Sequence, residues 1–212
     1  ALWLHTARAD APLTTLDEHI HCGNSLVAPD FYAEDRQREL WPADRKELVN
    51  CFDWQATFPS VMAHGGFDCI VGNPPYVKLQ HFRKLQPEMA EYLMGCGANG
   101  ERRYESTQTG NFDLYLPFIE KGLSLLHPQG RMGFIAPNLW VVNEYGRALR
   151  EKVHRLGALE RWLDFKSYQV FEEVSTYTAL QFFRGQPSKD ITCAFAHSGE
   201  LKKITWSSSS EQ

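Results

Sequence analysis

The apolar positions of this chain fall into short continuous runs separated by stretches of helical periodicity. "FDCIVG" (67–72) is such a run, closed by two prolines, and predicts a buried strand. In "FDLYLPFIEKGLSLLHPQG" (112–130), Leu114, Phe118, Leu125 and Leu126 recur on one side, and Pro128 and Gly130 end the pattern, which predicts an amphipathic helix. "RMGFIAP" (131–137) reads as a second buried strand, and "NEYGRALREKVHRLG" (143–157) as a helix stopped by Gly157. "ALERWLDF", "STYTALQFFR" (175–184), "ITCAFAH" (191–197) and "KKITW" (202–206) follow as further strands, the second of them rich in β-branched and aromatic residues. Upstream, "HIHCGNSLV" (19–27) is a short β-like run. Residues 30–50 are helix-prone but broken at Pro42, "FDWQATFPSVMAHGGFD" predicts a loop with a helical turn, and a helix is expected over 86–94. "GCGANGERRYESTQTGN" is Gly-rich and polar and reads as a mobile loop.

Strand, helix, strand, helix, strand is the α/β pattern. Sheets of that kind bind ligands outside the carboxyl ends of their strands, where Asn73 and Asn138 fall. A chain of 212 residues with 43% hydrophobic and 23% charged residues fits one globular domain. Its net charge of −4 argues against a chain that is mainly a basic nucleic-acid clamp, though not against local contacts to nucleic acid. Five cysteines without a CxxC pair indicate reduced, cytoplasmic usage, and no stretch has the length of a membrane span. "ALWLHTARAD" opens on the tail of an amphipathic pattern, with Leu2, Leu4 and Ala7 on one face. The expectation is a chain cut from something longer.

The chemistry concentrates in "NPPY" (73–76). Pro74 and Pro75 fix φ and lack an N–H, so their carbonyls remain as acceptors. Asn73 precedes proline, is held extended, and adds a side-chain oxygen. Tyr76 brings a flat ring beside them. Rigid acceptors beside a stacking face suit a planar ligand that carries an NH2 group. Two acceptors pulling on that group localise a lone pair otherwise delocalised into the ring, so orientation and electrostatics suffice for attack. Taken as a turn alone, Asn before Pro-Pro is an ordinary chain reversal.

"NPPY" after "FDCIVG" resembles motif IV of the adenine-specific, S-adenosylmethionine-dependent DNA methyltransferases. "GNFDLYLPFIEKGLSLLHPQGRMGFIAPNLW" is similar to their next helix and strand, "VFEEVSTYTALQFF" to a later segment, and "CGNSL" to the loop that contacts the cofactor adenine. The lead-in to the corner resembles that of the large type IIG restriction-modification methylases, including those fused to a nuclease. The resemblance runs in family order over most of residues 16–185.

It implies that Asn73 and the Pro74 carbonyl accept hydrogen bonds from the N6 amine of an adenine flipped out of double-stranded DNA. Tyr76 would stack on that base and Phe171 would contact its other face, while Asn24, Pro75 and Phe118 would surround the adenine of S-adenosylmethionine. Asn24 stands where many relatives have Asp. The implied fold is part of a Rossmann-like methyltransferase sheet with flanking helices, its first cofactor-binding strands missing and one strand near residue 20 orphaned. No Gly-rich loop between a strand and a helix is found, nor the acidic residue after a second strand. Residues 1–185 would be a partial catalytic domain, the target-base half, and 186–212 would lead toward an absent DNA-recognition domain. The expected setting is the prokaryotic cytoplasm, with no membrane and with a fused or partner nuclease open. Two other readings stand beside it: a methyltransferase for protein glutamine amides, and a catalytically incomplete fragment that serves as a structural or interaction module.

Other features read as bland. His19, His21 and Cys22 lack a second ligand pair, so no metal is expected. The arginines of "ERRY" (101–104) could touch phosphate or simply be solvated. Glu172 and Glu173 read as a surface loop, Trp140 and Trp162 as core, and His127 as a helix-end residue.

Overall fold

The computed structural model describes residues 19–33, 38, 40–171, 176–201 and 204–208. The opening amphipathic pattern, Glu172, Glu173 and the last four residues lie outside them. The helices are α1 Asp30–Ala33, α2 Ala43–Val49, α3 Trp54–Thr57, α4 Pro59–Ala63, α5 Leu79–Leu85, α6 Pro87–Met94, α7 Tyr115–Leu125 and α8 Arg147–Leu156. The strands are β1 Phe67–Gly72, β2 Leu126–Pro137, β3 Leu159–Asp164, β4 Thr178–Arg184, β5 Thr192–Phe195 and β6 Ser207–Ser208.

The strands form one mixed sheet in the order β1-β2-β4-β3-β5-β6. β1 runs parallel to β2, β4 runs antiparallel to both β2 and β3, and β3 is parallel to β5. β1, β2, β3 and β5 therefore point the same way and end at one rim. The register Gly72↔Phe134 sets the end of β1 beside the last turn of β2. This is the expected α/β sheet, with helices between β1 and β2 and between β2 and β3, while β3 reaches β5 through β4.

The two faces are unequal. Met132, Phe134 and Ala136 alternate along β2 toward α7, which buries Tyr115, Leu116 and Ile119 completely. Trp140, Trp162 and Phe183 join this larger core, so both tryptophans are buried. On the other face Ile135, Leu163, Phe165, Leu180 and Ala194 make a smaller cluster. Gly122 permits the close packing of α7, since a Cβ there would sit 2.3 Å from the Met132 sulfur. Gly157 ends α8 in the left-handed region, φ 57°, as its position predicts.

Several expectations are corrected. The β1 residues form a strand but not a buried one: Val71 is 82% exposed and Cys69 is exposed. Among the described residues β1 pairs on one side only, so apolar composition does not become burial. Residues 19–27 form no strand; a single bridge, Asn24 to Cys51, replaces it. The helix over 112–130 stops at Leu125, because Phe67 of β1 claims Leu126 and starts β2 five residues early, with His127 in the strand. The stretch 204–206 is not extended ladder, and the last strand is Ser207–Ser208.

The polar segment 95–111 is fastened rather than loose. Tyr104 is buried and donates to the Leu26 carbonyl at 2.7 Å. The backbone N–H groups of Glu105 and Ser106 donate to the buried Glu120 carboxylate, each at 2.9 Å. Lys152 donates to Glu120 at 2.8 Å and to Glu105 at 2.9 Å, and Arg155 closes the network on Glu105.

Candidate active site

β1 delivers the chain to the sheet rim, and Asn73-Pro74-Pro75-Tyr76 turns there. Pro74 is buried while Asn73 and Pro75 are exposed. Among the described residues the Asn73 side chain makes no hydrogen bond, and the Pro74 and Pro75 carbonyls accept none. Exposed acceptors are open to water, so these groups, fixed in place and unclaimed by the protein, remain available to a ligand. The turn is pinned just beyond, where Leu114 donates its N–H to the Val77 carbonyl and Leu79 to the Phe112 carbonyl.

Tyr76 is half-buried, and its hydroxyl donates to the Ile135 carbonyl on β2 at 3.1 Å. Burial pushes its pKa up to about 12, so the hydroxyl stays protonated at working pH. The Phe171 ring lies 6.4 Å away at an interplanar angle of 65°. A base held between two faces needs about 3.5 Å on each side. Two such gaps make about 7 Å, slightly more than the 6.4 Å observed, so the rings must part a little and turn toward parallel to clasp one.

Behind the corner is a cavity of about 240 Å³. Asn73, Pro74 and Pro75 form one wall and Phe118, Lys121 and Gly122 of α7 another, with Ser25, Trp54 and Phe134 completing it. Phe118 and Lys121 are three residues apart on one helix and so share a face. Burial pushes the Lys121 ammonium below its ordinary pKa, against the opposing pull of Asp30. Gly72 is required here for a different reason from turn geometry: a Cβ would come within 2.9 Å of the Phe134 ring.

A model of the Eco57I restriction-modification methylase family matches residues 1–171. The chain belongs to this family. A type II restriction enzyme and methyltransferase of Escherichia coli, RM.Eco57I, is 32% identical over 84% of the chain and 15% of its own length. The type II methyltransferase M.XhoI of Xanthomonas vasicola is 38% identical over 54% of the chain and 19% of its own length. The chain thus spans under a fifth of either relative. Among solved structures, the type IIL restriction-modification enzyme MmeI in complex with DNA aligns with 71% of the chain and 20% of its own, at a TM-score of 0.49 and 15% identity.

Membership in this methylase family implies S-adenosylmethionine as the cofactor. The residues of the cavity suit the ring end of such a molecule: they are mostly apolar, with Trp54, Phe118 and Phe134 among them and Ser25, Asn73 and Lys121 as polar groups. Of the sequence-named residues, Asn73, Pro74, Pro75 and Phe118 come together there, and Tyr76 and Phe171 meet at the rim. Asn24 is not among the lining residues. Its amide oxygen accepts from the Leu26 N–H at 3.2 Å and its nitrogen donates to the Met89 sulfur, an Asx turn that sets up the neighbouring Ser25.

Trp54, Lys121 and Gly72 went unnoticed in the sequence. The helical i, i+3 spacing from Phe118 was the signal available for Lys121. The "ERRY" arginines lie elsewhere: Arg103 stacks over the Tyr92 ring at 4.1 Å, and Arg102 donates to the Met94 carbonyl. The His21 ring packs edge-on against Phe52 and Phe58. Among the described residues no group of three His, Cys, Asp or Glu could hold a metal, and no helix is long and apolar enough to cross a membrane.

Proposed function

We propose that this chain is the target-base half of a DNA methyltransferase that modifies the N6 amino group of adenine in double-stranded DNA within a restriction-modification system. The observation that carries the proposal is the corner itself: Asn73 and the Pro74 carbonyl, without partners among the described residues, beside the paired rings of Tyr76 and Phe171. Pro75, Phe118 and the rest of the cavity would hold the adenine end of S-adenosylmethionine. When bound, that cofactor supplies a methyl group on a sulfonium sulfur.

Asn73 Oδ1 and the Pro74 carbonyl each accept one hydrogen of the target amine. Together they draw its lone pair out of conjugation and aim it. Neither acceptor is a base, so the surplus proton leaves to water once nitrogen has gained its new bond. Tyr76 and Phe171 hold the ring plane, and only an extruded nucleotide reaches them. A ring slot favours a base over a glutamine amide, which has no aromatic face to clasp.

The test is incubation of the complete protein with methyl-labelled S-adenosylmethionine and duplex DNA, followed by nucleoside analysis. N6-methyladenine is expected. Label in N4-methylcytosine, or in protein glutamine alone, would overturn the assignment.

A further inference from the structure

One polar group on the wall of the 240 Å³ cavity has no role in the chemistry above. Lys121 follows Phe118 by one helical turn on α7 and borders that cavity. It also borders a neighbouring cavity of about 210 Å³, together with Asp30, Arg103 and Lys152. Among the described residues its ammonium has no hydrogen-bond or ion-pair partner, and burial holds it below its ordinary pKa. Lys152 on α8 shows the saturated alternative, donating to Glu120 at 2.8 Å and to Glu105 at 2.9 Å.

The second cavity does not supply the missing acceptor. Asp30 accepts from the Tyr92 hydroxyl at 2.6 Å, and its other oxygen faces the Arg103 guanidinium at 3.6 Å. Asp30 pulls on Lys121 only through space. Glu120 is engaged by Lys152 and by two backbone N–H groups.

On the first cavity's side the donors are scarce. The Leu26 N–H donates to Asn24 Oδ1 and the Val27 N–H to the Asn24 carbonyl, each at 3.2 Å. Both are spent before a ligand arrives. Trp54 Nε1 is likewise spent on the Ser25 carbonyl at 3.1 Å. Asn73 is committed to the target amine. The polar side chains left for a ring in the cavity are Ser25 and Lys121. An adenine ring carries one amine that donates, and N1, N3 and N7, which only accept. A lysine ammonium only donates, so it matches a ring nitrogen and not the amine.

We infer that Lys121 fixes the adenine of the cofactor by donating to one of its ring nitrogens. Phe118 then supplies a face for the ring and Lys121, one turn on, a contact at its edge, so that α7 and not the Asn24 side chain sets its orientation. The inference rests on the cavity being the seat of that adenine.

The experiment is titration calorimetry of the complete protein with S-adenosylhomocysteine and with three analogues in which N1, N3 or N7 is replaced by C–H. Lys121→Met, which keeps an unbranched apolar stem, should weaken S-adenosylhomocysteine binding by about tenfold to a hundredfold, the range for a lost hydrogen bond to a charged group. One of the three analogues should bind the unaltered protein more weakly by a similar factor. Lys121→Met should bind that analogue and S-adenosylhomocysteine alike. The analogue series on the unaltered protein stays decisive if the variant fails to fold, since equal binding of all three analogues and S-adenosylhomocysteine would overturn the contact. Unchanged affinity in a folded Lys121→Met would overturn it too, by placing the ammonium in water along the helix. So would a loss in that variant with every analogue penalty intact, which would make Lys121 a support of the wall. Absence of S-adenosylhomocysteine binding by the unaltered protein would strike the cofactor reading of the cavity, and this contact with it.

Discussion

Helix α7 presents polar chemistry on two sides, and the two sides end differently. On one side Glu120 is buried and fully used: two backbone N–H groups and the Lys152 ammonium converge on it. On the other side α7 walls a cavity with Phe118 and Lys121, facing Asn73 and Pro74, whose acceptors have no partner among the described residues. Both regions cost something to desolvate. In the first that cost is met inside the chain, and the result is a fastened loop. In the second Asn73 stays exposed and hydrated, and its acceptor is left open to a ligand. Saturated polar groups mark architecture, and rigid unsaturated ones mark a site.

That contrast is easiest to break at Asn73. Asn73→Ala should lower the methylation rate of the complete protein by about a hundredfold to a thousandfold, the effect of removing one preorganised partner of a reacting group. Its stability should change by less than about 0.5 kcal/mol, since the side chain is exposed and unpaired. A melting temperature that falls along with the rate would place Asn73 on the architectural side. Glu120→Ala should do the reverse. It leaves two N–H groups and Lys152 without their buried acceptor and should cost about 3 kcal/mol in denaturant unfolding. The rate per folded molecule should stay near normal, because Glu120 lies outside the cavity lining.

How much of this was legible depends on the distance along the chain between partners. The corner was legible because its acceptors and ring are four consecutive residues, each with a local conformational rule. The parallel strands and α8 followed from periodicity and from Gly157. Burial of β1 was not legible, since it depends on which strands flank it, and composition is silent on pairing. The fastened loop was missed for the same reason. Its Gly, Asn and Thr content suits a free loop equally well, and the carboxylate that ties it down comes from α7, 15 residues beyond Glu105. At residues 19–27 the β-like composition lost to an Asx turn at Asn24, a competition between side chain and ladder. The strand β2 overran a His-Pro pair because a tertiary pairing, Phe67 to Leu126, outweighed local turn chemistry.

The saturated side also carries a pH signature. Burial raises the Glu105 pKa, but hydrogen bonds from Lys152 and Arg155 outweigh it, and the net direction is down. A depressed carboxylate contributes stability above its ordinary pKa, near 4.5, and loses it as pH falls through the folded value. Glu105→Gln should therefore cost about 1 kcal/mol at neutral pH, a modest figure because the side chain is 32% exposed. In urea titrations the gap between variant and parent should be flat above about pH 5 and close progressively below it. A gap that does not narrow would mean that the ion pairs contribute little beyond packing.

The smallest expected effect separates two uses of one residue at the site. Tyr76 has a ring that faces Phe171 and a hydroxyl that bonds to the Ile135 carbonyl. Tyr76→Phe removes only the bond and should cost about 1 kcal/mol of stability or less. Methylation should stay within about threefold of normal, because the ring remains. Tyr76→Ala removes the stacking face and should cost about tenfold or more, the usual range for a lost base–aromatic contact. The hydroxyl cannot act as a proton acceptor in the reaction, since burial holds its pKa at about 12 and it enters the working range already protonated. The pH–rate profile of Tyr76→Phe should therefore overlay that of the parent between pH 6 and about 9. If the phenylalanine variant instead fell as far as the alanine one, the hydroxyl would matter more than the ring, and the Ile135 bond would have to be read as part of the reacting geometry rather than as its anchor.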